Sequence, residues 1–176
     1  MIRPARQGDM DALVVLERAS FRGDRIARRS FRRALAVRNA AVIVEVARGW
    51  LRGYALVFFR AGSGVARLYS IAVDGAARGR GVGRGLLAEA ERAARQRGRR
   101  TMRLEVRRDN GPSLALFRGA GYRQFGEIPD YYEDGMTALR FEKALGPACA
   151  KALSAARETV APAARAARRR KTARHG

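Results

Sequence analysis

Hydrophobic positions along the chain change their spacing several times, and each change marks an element. In "GDMDALVVLERAS" (8–20) Leu13, Leu16 and Val14 share a helical face, with Asp9 as the candidate cap. "RRSFRRALAV" (28–37) predicts a second, short helix. The spacing then becomes that of strands. "AVIVEVA" (41–47) and "WLRGYALVFFR" (50–60) flank a turn at Arg48 and Gly49, and "VARLYSIAV" (65–73) follows the loop "AGSG". "VGRGLLAEAERAARQRG" sets Val82, Leu86, Ala90 and Ala93 on one stripe and stops at Gly98, which predicts an amphipathic helix. "RTMRLEV" (100–106) is a strand. "DNGPSLALFRGAG" is a helix capped by Asn110, with Pro112 in its first turn and an end at Gly119 to Gly121. "YRQFGEI" and "MTALRFEKAL" are two closing strands around the loop "PDYYEDG".

With a strand at the start, the order is β, α, α, β, β, β, α, β, α, β, β. A central strand–helix–strand crossover requires parallel neighbours, and the hairpins require antiparallel ones. The fold class is therefore α+β, a mixed and mostly antiparallel sheet of six or seven strands with flanking helices. Residues 1–145 form the predicted domain. Residues 146–176 are rich in Ala and Arg, with no large apolar side chain after Val160, and are expected to be a basic tail, partly helical or disordered.

Composition narrows the chemistry more than the fold. A chain of 176 residues, 47% of them apolar, can bury a real core. The net charge is +21, and only Lys143, Lys151 and Lys171 are lysines, so the excess is almost all arginine. Such a surface suits an acidic partner such as RNA or the ribosome, and equally reflects the bias of a GC-rich genome. One cysteine, Cys149, and one histidine, His175, exclude an internal disulfide, a zinc cluster and a Ser/His/Asp or Cys/His pair. No metal is expected. No apolar run reaches the length of a membrane span, and a cytoplasmic setting without a membrane partner is the expectation.

"RGRGVGRG" (78–85) follows a strand ending "SIAV" and opens a helix, where backbone N–H groups and the helix dipole converge on an anion. Glycine lets those N–H groups turn inward without a Cβ in the way. Neither the Walker spacing nor G-x-G-x-x-G fits, so a pyrophosphate loop of another kind is left. "RGRGVG" (Arg78, Gly81, Gly83), after "LYSIAV" and before its helix, resembles the acetyl-CoA loop of the GCN5-related N-acetyltransferase (GNAT) superfamily, Arg/Gln-x-x-Gly-x-Gly/Ala. "LEVRRDNGPSLALFRGAGY" is similar to a second stretch of that superfamily, particularly its RimI-like N-terminal acetyltransferases. The resemblance spans residues 1 to about 145.

It implies an acetyl-CoA-dependent transferase acting on a primary amine, most simply the α-amine of a protein or peptide. A small amine or amino-sugar acceptor on the same fold is one alternative, and a basic module binding nucleic acid or the ribosome is another. By resemblance, the backbone of Ile71, Ala72 and Val73 pairs with the cofactor, Arg78, Gly79, Arg80, Gly81, Val82, Gly83 and Arg84 hold its pyrophosphate, and Asn110 and Phe117 contact it. Glu105 is the leading base. On the residues alone, an exposed glutamate paired with one of the many arginines is the favoured reading. Phe117 stands where the superfamily carries a tyrosine that donates a proton, so Tyr69 is the candidate replacement. Tyr131 and Tyr132 are placed over the incoming amine, and Glu127, Asp130, Glu133 and Asp134 around them form an acidic cluster that would attract an ammonium group.

Overall fold

The computed structural model describes residues 1–146. The predicted tail from residue 147 onward, with Cys149 and His175, lies outside the described residues. The chain runs β1 (Ile2–Pro4), α1 (Met10–Ser20), α2 (Arg28–Ala36), β2 (Ala40–Ala47), β3 (Trp50–Phe59), β4 (Val65–Val73), α3 (Val82–Gln96), β5 (Thr101–Arg107), α4 (Gly111–Gly119), β6 (Arg123–Ile128) and β7 (Ala138–Ala144). This is the predicted order. Seven strands form one sheet, arranged β1-β2-β3-β4-β5-β7-β6. Only β4 and β5 pair in parallel, joined by α3 as the crossover, and every other pair is antiparallel.

Asp9 does not cap α1. It ends a short 3-10 turn, where its carboxylate accepts the Arg6 N–H at 2.7 Å and both nitrogens of the Arg3 guanidinium at 2.7 and 2.8 Å. A neighbouring arginine on β1 outcompetes the helix amides for it. Asn110 does cap α4, accepting the Ser113 N–H at 3.1 Å.

The sheet's two faces are covered differently. On the back, α3 and α4 close a continuous apolar cluster that includes Val57, Leu68, Leu86, Leu87, Met102, Leu104 and Phe141. On the front, α1 and α2 cover β2 to β4, with Leu13, Leu16 and Phe31 against Val42, Val44 and Leu56. Among the described residues the front of β5 and β7 is left uncovered. Strand alternation places Arg103, Glu105 and Arg107 of β5 there, since Met102, Leu104 and Val106 point into the back cluster.

One polar group is buried beneath the front helices. Glu17 of α1 is 2% exposed, yet both carboxylate oxygens are bonded, one to the Ile26 N–H at 2.7 Å and one to the Tyr54 hydroxyl. That hydroxyl also lies 2.8 Å from Ser70 Oγ on β4. Burial pushes the Glu17 carboxyl above its ordinary value, against the pull of its hydrogen bonds. Among the described residues no helix is long and apolar enough to cross a membrane.

Candidate active site

The site begins with an interruption in the sheet. β4 pairs with β3 from Ala66 to Val73, but with β5 only from Val65↔Thr101 to Leu68↔Leu104. Beyond Leu68 the two parallel strands separate, and Glu105 to Arg107 pair with β7 alone. A wedge opens between them, and among the described residues the edge of Tyr69–Val73 facing away from β3 has no strand partner. The cause is a bulge. Leu56 pairs with Ser70 and Val57 with Leu68, which leaves Tyr69 as the extra residue. Before the bulge Ala66 and Leu68 face the back core; after it Ile71 and Val73 do, while Ala72 joins the front cluster.

β4 leads directly into the glycine turn. Gly79 and Gly81 have φ of +72° and +77°, the left-handed region that favours glycine, and Gly81 is the residue that starts α3. It has no side chain to cap the helix, so the first-turn amides of Val82, Gly83 and Arg84 stay available to an anion. At Gly83 a Cβ would make ordinary van der Waals contact, 3.4 Å from Leu116 and 3.6 Å from Val73, so the start of α3 sits beside α4 and β4 without needing glycine there. Arg78 folds back over the turn, its Nε donating to the Val73 carbonyl at 3.4 Å.

Glu105 lies on the open front face beside the wedge, its side chain 11% exposed. Arg67 Nε donates to Glu105 Oε2 at 2.9 Å, and the same guanidinium donates to the Tyr131 hydroxyl at 3.0 Å. Arg140 approaches Glu105 Oε1 at 3.6 Å. The arginine pairing considered from sequence is therefore present, and it joins the base candidate to the tyrosine loop. Tyr131 and Tyr132 meet edge-on at 5.0 Å, and Arg107 lies over the Tyr132 ring at 4.9 Å. Burial, with Tyr131, Glu105 and Asp24 nearby, pushes the Tyr132 phenol up to about 12. Asp24 comes from the α1–α2 loop, and a Cβ on neighbouring Gly23 would stand 3.7 Å from Glu133 Oε2. The two loops thus meet at the front of the wedge.

Against this geometry stand the comparisons with known proteins. Residues 10–122 match the acetyltransferase (GNAT) family. The chain belongs to that family. Its curated relatives include an uncharacterized protein of Mycobacterium leprae, 48% identical over 65 residues, 37% of this chain and 17% of the relative. Another is the N-alpha-acetyltransferase RimI of Mycobacterium tuberculosis, 35% identical over 113 residues, 58% of this chain and 65% of the relative. The chain thus spans less than two thirds of either relative's length. A solved ribosomal-protein-alanine N-acetyltransferase from Brucella melitensis superposes with a TM-score of 0.72 at 27% identity, covering 82% of this chain and 99% of that one.

Within the GNAT fold, not every residue singled out from sequence reaches the wedge surface. Phe117 is 3% exposed, its ring edge-on to Tyr122 at 5.8 Å within the back core. Tyr122 serves structure as well, its hydroxyl donating to buried Glu91, which Lys143 holds at 2.9 and 3.0 Å. Tyr69 is half exposed, edge-on to Phe58 at 5.3 Å, with Arg67 5.9 Å above its ring. The acidic cluster is partly neutralised. Arg108 takes Glu127, and Arg107 grips Asp134 at 2.8 Å together with Asp109 at 3.1 Å. Sequence reasoning missed Arg67 and Arg140, and with them the link from Glu105 to Tyr131. The available signal was alternation: Arg67 sits two positions before Tyr69, and Arg140 lies directly across the ladder from Glu105.

Proposed function

We propose that this chain transfers the acetyl group of acetyl-CoA to the N-terminal α-amine of a protein or peptide. The observation that carries the reading is the wedge between β4 and β5, bounded by the glycine turn at one end and by Glu105 and Tyr131 at the other. Its residues fit the cofactor. The unpaired edge at Ile71, Ala72 and Val73 offers main-chain partners to an amide-bearing arm. Val82, Gly83 and Arg84 present free helix-start amides to a pyrophosphate, and Arg78 and Arg80 add charge beside the turn made by Gly79 and Gly81. Asn110, at the start of α4, keeps its amide NH2 for the cofactor while its oxygen caps the helix. Phe117 backs the wedge from the core.

When bound, acetyl-CoA supplies a thioester acyl group. The acceptor must arrive as a neutral amine, the developing oxyanion must be stabilised, and the thiolate must be protonated. Glu105, oriented by Arg67, accepts the ammonium proton at its carboxylate. Backbone N–H groups of β4 near Ile71 to Val73 would supply the hydrogen bonds that stabilise negative charge on the acyl oxygen. Tyr69, the exposed hydroxyl beside the wedge, donates the proton that Phe117 lacks. Tyr131 and Tyr132 cover the amine, where Asp130 and Glu133 retain uncompensated negative charge among the described residues. Similarity to RimI and to the Brucella enzyme supports a protein α-amine. The test is acetyl-CoA calorimetry on the purified chain, followed by CoA release with peptides of varied N-termini and a panel of small amines. Turnover of peptides above amines is expected. Absence of both acetyl-CoA binding and CoA release overturns the reading.

A further inference from the structure

A second cavity, of roughly 560 Å³, lies on the front of the sheet beneath α2, separate from the glycine turn. Its walls include Arg29, Arg33, Ser30, Asn39, Phe58 and Tyr69. Tyr69 is the bulge residue at the wedge, so the cavity opens beside the proposed transfer site. Arg29 and Arg33 are one turn apart and share the face of α2 that looks into it. Among the described residues neither has an acidic partner, whereas Arg28 pairs with Asp11. Arg25 at the rim is tied to the Phe21 carbonyl at 2.5 Å.

The helix itself adds to this positive potential. α2 starts on Ala27, which has no side-chain acceptor, and its first turn holds no acidic residue. Arg29 lies in that first turn, where a cation opposes the helix dipole, while Arg33 lies in the last turn, where the dipole favours it. Here they are kept around a concave, aromatic-walled space. The space is also preformed. Glu17 holds the Ile26 amide on the loop side, and through Tyr54 it holds Ser70 on the β4 side, so one buried relay fixes both walls.

We infer that this cavity receives an anionic group of the acceptor, a carboxylate or phosphate a short distance from the amine to be acetylated. The inference rests on the transfer reading above and names its substrate class: an amine with an acidic group close by. The loop carrying Asp130 and Glu133 takes the ammonium end, and Arg29 and Arg33 take the anion. Two sources carry that chemistry, an acidic side chain near a peptide N-terminus and a free acidic amino acid.

The experiment compares an Ala-Asp peptide with its Ala-Asn isostere, and free glutamate with glutamine, in the full chain and in Arg29→Glu/Arg33→Glu. Wild-type kcat/KM for the acidic member should exceed the neutral one roughly 10- to 100-fold, through KM, as for a charge-assisted hydrogen bond. The double variant should bring that ratio to about one or below. The single change Arg29→Gln, checked by circular dichroism and acetyl-CoA calorimetry, gives the same direction if the double variant is unfolded. Preference confined to peptides or to amino acids identifies the source, and either supports the cavity. A wild-type ratio near one with turnover intact overturns the cavity and leaves the transfer reading standing. If nothing is turned over, calorimetric titration of the two peptides still decides, since equal affinity for them overturns the inference. Salt-dependent RNA binding lost in the double variant, with no acceptor preference, also overturns it, in favour of a nucleic-acid face.

Discussion

The two faces of this sheet have opposite occupants. Behind it, α3 and α4 press Leu86, Leu87, Met102, Leu104 and Phe141 into an apolar layer in which each is 1% exposed or less. In front, among the described residues, two helices cover β2 to β4, and Arg103, Glu105, Arg107 and Arg140 of the uncovered strands form ion pairs that Arg67 of β4 joins. Strand β4 belongs to both. Its bulge at Tyr69 turns one residue out of register, and that slip separates β4 from β5 and opens the wedge. The closed face holds the strands in place, and the open face presents a working surface.

Substitutions can break each face separately. The largest effect belongs to the open one. Glu105→Gln should lower kcat/KM by about 10²- to 10⁴-fold while the unfolding midpoint stays close to wild type, as for loss of a positioned base. Unchanged turnover would remove Glu105 from the chemistry. Leu86→Ala, on the closed face, should cost about 2–5 kcal/mol in denaturant unfolding. A loss below about 1 kcal/mol would mean that the back layer readily collapses around the gap.

Gly81→Ala probes the junction of the two. A Cβ there meets nothing within 4 Å, so the whole cost is the left-handed backbone, about 1–2 kcal/mol, seen as lower stability and weaker acetyl-CoA binding. A thermal shift and a calorimetric titration measure the two parts.

Stability against pH should separate three carboxylates by sign. Glu17 has its pKa raised by burial, so its contribution is full below about 4.5 and is lost as pH rises through the folded-state value. Asp9 and Glu45 are held below their ordinary values, first by Arg3 and Arg52 respectively, so their contributions are present at neutral pH and are lost as pH falls. Urea midpoints across pH should therefore flatten above 4.5 in Glu17→Gln and in the acid limb in Glu45→Gln. The reverse assignment would refute the burial argument. The smallest effect is expected of Arg92→Ala, which removes an exposed pair with Glu89 and should change stability by about 0.5 kcal/mol or less.

Local pattern carried far in this chain. Periodicity placed all the major elements within a residue or two, because each buries one clear face. The phosphate-type turn was legible because glycine is the residue that adopts φ near +75° easily, and two of the four glycines do so. Asp9 was misread because Arg3, on a separate strand, competes for it. The acidic loop was overestimated because Arg107 and Arg108 come from β5 and its following turn, which spacing alone does not bring near.

What the sequence determined by itself was therefore the order of elements, the crossover, and the family motif from Arg78 to Gly83. All of these depend on interactions between near neighbours along the chain. The tertiary structure alone decided that Tyr69 is a bulge, that β4 and β5 part at Leu68 and Leu104, and that Arg67 links Glu105 to Tyr131 across 38 and 64 residues of sequence. These depend on strand register and on which face lacks a covering helix, and such choices are made only when the whole sheet assembles.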